Sequence, residues 1–380
     1  MALEIREAAS KAEIRQFIDF AHELYKDDPN YVPELYIAQK EMFDKGKYPF
    51  YEYGDAKCFL AYEGREIVGR IAAIKNHRYN EFHNSNVGFF GFFEFIESEE
   101  VARALLQAAQ DWLSDENYDY LMGPTNFTTN ETAGFLVEGF EEPPKIMMTY
   151  NAPFYNRILK SIGLEKEMDL YAYMIYSFEA SDKSIKMSQL IEERLKRSGV
   201  SIRKISLKNF KEEVAHIKKV YNAAWEDNWG FVPFTEKEFE HLADGLKMLA
   251  DEDFAYIAEQ DGEPIGFSIS LPNINEITIN FKKGRLFPFN IFKLLLGKKK
   301  AKSVRVLATG ILKEYRKKGI EAIFFARNIL EARKRNLIGG EASWILESNQ
   351  DMVTSAEKLN GIKYKTYRIY KYPLPKSNEQ

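Results

Sequence analysis

Tyr25-Lys-Asp-Asp-Pro-Asn-Tyr-Val-Pro33 lies over Trp225-Glu-Asp-Asn-Trp-Gly-Phe-Val-Pro233 without a gap, placing Asp27 on Asp227, Val32 on Val232 and Pro33 on Pro233. Ala61-Tyr-Glu-Gly-Arg-Glu-Ile-Val-Gly69 lies in the same way over Ala258-Glu-Gln-Asp-Gly-Glu-Pro-Ile-Gly266, and Leu170-Tyr-Ala-Tyr-Met-Ile-Tyr176 over Tyr364-Lys-Thr-Tyr-Arg-Ile-Tyr370. An offset of about two hundred residues is far longer than a solenoid period. The chain therefore carries one domain-sized unit twice, in the same order. The copies part company after the strands that end at Gly91 and Gly310. The first continues Glu97-Ser-Glu-Glu100 and the second Arg316-Lys-Lys-Gly319. Acid stands where the other copy has base plus glycine, so only the second has the chemistry for a phosphate.

Around these anchors the first copy opens with a short strand near Leu3–Arg6. Ile14, Phe17, Ile18, Ala21 and Leu24 then fall on one helical face. A second helix follows near Glu34–Lys45, and Cys58–Tyr62 with Ile67–Lys75 form a hairpin. A strand at Asn86–Ile96, a helix at Glu99–Ser114, a strand at Asp119–Met122, a helix closed by Gly163 and a strand at Leu170–Phe178 complete it. The second copy repeats the order, with helices at Phe210–Trp225, Glu236–Ala250, Ile320–Arg335 and Asp351–Asn360. A polar tract, Glu179–Met187, and a helix at Ser188–Ser198 join the halves. The expected domains are residues 1–180 and 181–380. Each is an α/β unit with a mixed, mostly antiparallel sheet flanked by helices. Two insertions differ between copies: Asn126–Met148 in the first, whose apolar residues argue for packing, and Ile274–Lys302 in the second.

The 380 residues suit two such domains, and 45% hydrophobic with 29% charged residues is a globular composition. A net charge of −4 argues against a nucleic-acid partner. One cysteine, Cys58, excludes a disulfide framework and fits a reducing, cytoplasmic setting. The first residues read as no signal peptide, and no apolar run reaches the length of a membrane span. The five histidines show no ligand spacing, so no metal is expected. Neither dinucleotide-binding nor Walker-type glycine motifs occur.

The stretch Thr309-Gly310-Ile311-Leu312 followed by Lys313-Glu-Tyr-Arg316-Lys317-Lys318-Gly319-Ile320 is a strand, a basic turn and a helix start. N–H groups at a helix start, its dipole and nearby cations suit a pyrophosphate. With the element order, this motif resembles the acyl-CoA loop of the GNAT acyltransferase superfamily, here Arg316-x-x-Gly319-Ile320. The last position departs from the pattern: it is Glu321, with Ala322 one place late. The resemblance covers nearly the whole chain twice, as a tandem GNAT-like protein, and is similar to N-myristoyltransferases and peptidoglycan-peptide aminoacyltransferases. It implies acetyl-CoA or a longer acyl-CoA as co-substrate and acyl transfer to an amine by the C-terminal domain. The family's fifth-strand asparagine falls at Asn349. Its tyrosine acid, four residues before the helix-ending glycine, falls at Glu357.

A general base must deprotonate the attacking ammonium. Glu341 and Glu347 lie on the neighbouring strand, where period-two alternation puts Glu341, Ser343, Ile345 and Glu347 on one face. The oxyanion would meet N–H groups near Gly310–Leu312. Trp229 and Phe231 sit in the loop where the family admits acceptors. From Ile277 to Lys313 there is no acid, yet ten basic residues surround Leu286-Phe-Pro-Phe-Asn-Ile-Phe-Lys-Leu-Leu-Leu296. That mixture suits an anionic membrane surface or a wall for a small-molecule or lipid-like amine acceptor. Glu321 and Glu357 leave an alternative open: a GNAT fold without activity that binds a ligand or partner.

Overall fold

The computed structural model describes residues 2–374. The first copy runs β1 (Leu3–Glu7), α1 (Lys11–Leu24), α2 (Tyr36–Met42), β2 (Gly54–Glu63), β3 (Glu66–Asn76), α3 (His77–His83), β4 (Val87–Phe95), α4 (Glu99–Leu113) and β5 (Tyr120–Gly123). Three short strands follow, β6 (Thr125–Asn126), β7 (Thr132–Ala133) and β8 (Phe135–Glu138), then α5 (Tyr155–Ser161) and β9 (Glu165–Tyr176). The second copy runs α6 (Asp182–Arg197), β10 (Val200–Lys204), α7 (Phe210–Trp225), α8 (Glu236–Lys247), β11 (Ala255–Gln260), β12 (Glu263–Pro272), α9 (Asn275–Thr278) and α10 (Asn290–Gly297). It closes with β13 (Ser303–Ile311), α11 (Ile320–Lys334), β14 (Gly339–Leu346), α12 (Gln350–Lys358) and β15 (Ile362–Pro373).

Local chemistry sets the helix ends. Ser10 and Glu13 form a reciprocal cap at α1, and Thr235 and Glu238 another at α8. The joining helix starts at Asp182, six residues earlier than the apolar spacing predicts, because Ser181 accepts from the Ser184 N–H and Ile185 is buried.

The chain forms two compact units that trade segments. The first holds the residues up to Leu170, Thr278–Lys293 and the chain from Lys365; the second holds Tyr171–Ile277 and Leu294–Tyr364. The first unit's sheet has the order β1-β2-β3-β4-β5-β15, and the second's β10-β11-β12-β13-β14-β9. Each sheet is thus completed by the final strand of the other copy. Tyr370 pairs with Gly123 and Tyr372 with Leu121 in the first unit. The expected division near residue 180 separates the copies along the chain, whereas compactness follows this exchange. At the same place in each copy two strands pair in parallel, β4 with β5 and β13 with β14.

Helices cover the sheets through continuous apolar faces. In the first unit Val101, Ala102, Leu105 and Ala109 of α4 pack on Ile71, Ala73 and Phe93, all fully or almost fully buried. In the second, Ile320, Ile323 and Phe324 of α11 pack on Tyr256, Ala258 and Ile265. Ile217, Val220, Tyr221 and Ala224 of α7 pack on Ile257 and Phe267. Burying a large apolar side chain contributes about 1.5–3 kcal/mol. Much of the aromatic content lies in such cores: Phe127 stacks on Phe50 at 5.0 Å and meets Phe92 at 5.3 Å.

Candidate active site

In the second unit the parallel ladder stops early. Ser303–Val306 pair with Gly339–Ala342, and beyond Val306 and Ala342 the two strands have no pairing although β13 runs on to Ile311 and β14 to Leu346. A bulge in β13 opposite Ile269 and Ser270 accompanies the divergence. Beyond this point the parallel strands leave a notch in the ladder, and on the β13 side Leu307, Ala308 and Thr309 there are half-buried.

Past the notch the chain makes the basic turn. Gly319 is the N-cap of α11 with φ +90°, and no side chain caps the first turn. A left-handed residue is needed there, and a Cβ would also come within 2.9 Å of Ile191. The cations divide by role. The Arg316 guanidinium donates to the carbonyls of Ala224 at 2.5 Å and Ile311 at 3.3 Å, tying the turn to α7. Lys313 pairs with Asp227 at 2.9 Å. Lys317 and Lys318 are exposed and have no acidic partner among the described residues; Lys318 lies 4.5 Å from the Tyr315 ring centre. Glu321 turns inward: burial pushes its carboxyl pKa up, a Ser355 hydrogen bond opposes this, and Oε1 is buried without a partner.

The same place in the first unit is filled. Val87–Phe89 pair in parallel with Tyr120–Met122, and past them β6 occupies the opening. The Asn126 Oδ1 accepts from the Phe92 N–H at 2.9 Å. The backbone passes so close that a Cβ on Gly91 would stand 1.9 Å from the Thr125 carbonyl oxygen. Phe127, buried in its aromatic cluster, anchors the segment. The start of α4 is closed too: Ser98 accepts from the Val101 N–H, Glu97 pairs with Arg157 at 2.6 Å, and Glu99 takes Arg103 at 2.7 Å and the Ser161 hydroxyl at 2.7 Å.

The predicted chemical groups fall into distinct settings. Glu341 is fully buried: Ser343 Oγ donates to its Oε1 at 2.6 Å, the Tyr364 hydroxyl donates to its Oε2, and the Arg305 guanidinium is 3.8 Å away. Glu347 is half-buried in the turn after β14. Asn349 is the N-cap of α12, its side chain accepting from the Met352 N–H at 3.2 Å. The strict alternation expected along β14 breaks, because Ala342 and Ile345, three residues apart, belong to one apolar cluster with Phe325 and Ala326. Phe231 lies in the core around Tyr221, while Trp229 is half-buried. The Leu312 N–H is taken by the Ile265 carbonyl at 3.0 Å, which leaves it no part in an oxyanion hole. Thr309 shares a hydroxyl contact with Ser268 at 3.1 Å, and its carbonyl accepts from Trp225 Nε1 at 3.2 Å.

Three participants escaped the sequence reading. Arg305 and Tyr364 enclose Glu341, and Tyr173 has its phenol pKa raised, chiefly by burial and then by the charge of the Glu357 carboxylate. The only sequence signal for Tyr173 is its alignment with Tyr367 in the repeated strand. Among the described residues no group of three His, Cys, Asp or Glu side chains is placed to hold a metal ion.

A mixed sheet with one splayed parallel pair and a glycine-capped helix start beyond it, in a chain whose order of strands and helices is built twice, define a tandem GNAT-fold protein. The fold matches a tandem GNAT protein from the clavulanic acid biosynthesis pathway with a TM-score of 0.59 at 10% identity, covering 99% of this chain and 100% of the other. It also matches a GCN5-related N-acetyltransferase from Sphaerobacter thermophilus with a TM-score of 0.52 at 11% identity over 98% and 95% of the two chains. No protein-family model matches. The chain is 35% identical to Protein YghO of Escherichia coli (strain K12) over 373 residues, 96% of this chain and 94% of the other. It is 32% identical to the bacterial ceramide synthase of Caulobacter vibrioides (strain NA1000 / CB15N) over 98% of both chains. The chain belongs to the family of these two proteins.

Proposed function

We propose that the protein is an acyl-CoA-dependent N-acyltransferase that takes its thioester in the notch between β13 and β14. One observation carries this reading: the parallel ladder opens beyond Val306 and Ala342 in the second unit, whereas the equivalent opening in the first is filled by Thr125–Asn126. The residues fit CoA in part. Lys317, Lys318 and the uncapped N–H groups of α11 suit the pyrophosphate, whereas Arg316 shapes the turn and the Glu321 carboxyl opposes an anion unless protonated.

In the reaction the amine nitrogen bonds to the thioester carbonyl carbon, the C–S bond breaks, the ammonium gives up a proton and the thiolate takes one. Glu347 is the better candidate base. Glu341 has both carboxylate oxygens occupied in a closed polar cluster, which suits a positioning role. Tyr173, whose buried phenol feels the charge of Glu357, the carboxylate that replaces the family's tyrosine, is the candidate proton donor to the thiolate.

The name of the Caulobacter relative supports a long-chain acceptor: a ceramide is the amide of a long-chain amino alcohol, which is N-acyl transfer to a lipid-like amine. The test incubates the protein with a long-chain amino alcohol and acetyl-CoA or palmitoyl-CoA, following amide by mass spectrometry and free thiol by colour. Amide and thiol in equal amounts, lost in Glu347→Gln, support the reading. CoA-dependent stabilisation with no amide from any acceptor would instead favour a binding protein, the reading to which Glu321 and Glu357 point.

A further inference from the structure

The exposed surface with the least ordinary composition lies on one continuous stretch of chain, Lys282–Lys302. Helix α10 is turned inside out. It buries Leu294 at 1% exposure but leaves Phe292, Leu295 and Leu296 at 63%, 47% and 74%. With about 100° between successive residues, Leu294 and Asn290 share one side and these three share the opposite one. Phe287 and Phe289, which lead into the helix, are 68% and 72% exposed. A cluster of this kind on a water-facing helix marks an interaction surface.

Charge identifies the partner. Lys282, Lys293, Lys299, Lys300 and Lys302 are all exposed, and none has an acidic partner among the described residues. From Ile277 to Lys313 the chain has no Asp or Glu at all. Other cations of the segment are already used: Lys283 pairs with Glu23 at 2.5 Å, Arg285 with Asp19 at 2.8 Å, and Lys298 donates to the Met248 and Ala250 carbonyls. The free lysines therefore flank the apolar face and do not hold the segment in place. Two copies meeting through this face would bring like charges together, which disfavours self-association.

We propose that Lys282–Lys302 docks the protein on an anionic phospholipid bilayer, with Phe287, Phe289, Phe292, Leu295 and Leu296 in the headgroup–acyl boundary and the five lysines on lipid phosphates. Among the described residues no helix is long and apolar enough to cross a membrane, so the segment lies on the surface. This inference stands on exposure and charge alone and does not depend on the acyltransferase reading.

The test is vesicle flotation of the full chain at low salt, with phosphatidylcholine vesicles and with vesicles in which one lipid in three is phosphatidylglycerol. Wild type is expected to float with the anionic vesicles and to detach as salt rises. Lys299→Glu with Lys300→Glu should weaken partitioning about twenty-five-fold, about fivefold for each lysine lost. Phe292→Ser with Leu296→Ser should abolish it while leaving the melting temperature unchanged. Should that variant fold poorly, the lysine pair, wholly on the surface, decides. Three results overturn the proposal: no flotation of wild type at low salt, no effect of the lysine pair, or a wild-type dimer by light scattering that Phe292→Ser with Leu296→Ser dissolves.

Discussion

Replacing Lys317 and Lys318 together with alanine is the sharpest probe of the notch, because both are exposed and neither has an acidic partner among the described residues. A hydrogen bond to a charged group contributes about 1.5–3 kcal/mol. Two solvent-exposed lysines on a pyrophosphate merit the lower figure, about 3 kcal/mol in all, or roughly a 150-fold rise in dissociation constant. CoA at about a hundred times its dissociation constant stabilises wild type by about 2.7 kcal/mol. For a unit of this size that raises the melting temperature by about 5–11 °C. At the same CoA concentration the variant should keep about 0.3 kcal/mol, a shift of about 1 °C. The assay is thermal denaturation with and without CoA, and two controls sharpen it. Glu97→Ala, at the filled site of the first unit, should keep the full shift. Arg316→Ala should lower the melting temperature even without CoA, because its guanidinium ties the turn to the Ala224 and Ile311 carbonyls. A full CoA shift in the double lysine variant, or an equal loss in Glu97→Ala, would refute the assignment of CoA to the second copy.

Glu321→Ala should strengthen CoA binding, since it removes a buried carboxyl from the first turn of α11; titration calorimetry showing weaker binding would count against this placement of the phosphates. Glu341→Ala strands the Arg305 guanidinium in the interior, at an expected cost of about 3–5 kcal/mol in urea unfolding, while Glu347→Gln, half-buried at a turn, should lower turnover at a smaller cost in stability. His22 is buried, and desolvation, helped by the nearby Arg70, lowers its pKa from 6.5 to about 3. The unfolded chain therefore binds a proton that the folded one refuses between those values, so stability present above pH 6.5 is lost as pH falls, by about 2 kcal/mol at pH 5. Urea midpoints across that range should show the loss in wild type and not in His22→Leu.

The duplication, the order of elements and the basic turn were legible because each depends on local pattern. Helical spacing placed Phe210–Trp225 without error, and charge alone distinguished Arg316–Gly319 from Glu97–Glu100. The exchange of final strands was not legible, and the repeat itself explains why. Leu170–Tyr176 and Tyr364–Tyr370 read so alike that either strand suits either sheet, and nothing in a linear pattern says which slot each takes. The division of labour among the cations was hidden for a different reason: whether Arg316 faces a ligand or the Ala224 carbonyl depends on where α7 ends in space. Phe231 illustrates the converse, since an aromatic beside a glycine in a loop reads equally well as a pocket wall or as core, and tertiary packing places it beside Tyr221 at 5.9 Å. The outward apolar face of α10 was visible only as composition, because a short apolar run cannot reveal which side is covered.

Two independent features separate the copies, and their agreement is the strongest physical reason to look for chemistry in the second. Filling the first notch is a backbone matter: Gly91 and Gly123 let β6 and the Phe90 carbonyl approach to distances that a Cβ would forbid, so no single side-chain change reopens it. Neutralising its helix start is a side-chain matter, achieved by Ser98 and by the acids that bind Arg157 and Arg103. Either change alone would impair a nucleotide-thioester site, the first by volume and the second by charge. In the second copy neither has happened: the strands part, Gly319 leaves the first turn uncapped, and two exposed lysines beside it have no acidic partner among the described residues. A first copy relieved of a ligand can instead serve as packing, and the strand it lends to the second sheet carries Tyr173, a buried phenol that feels the charge of Glu357.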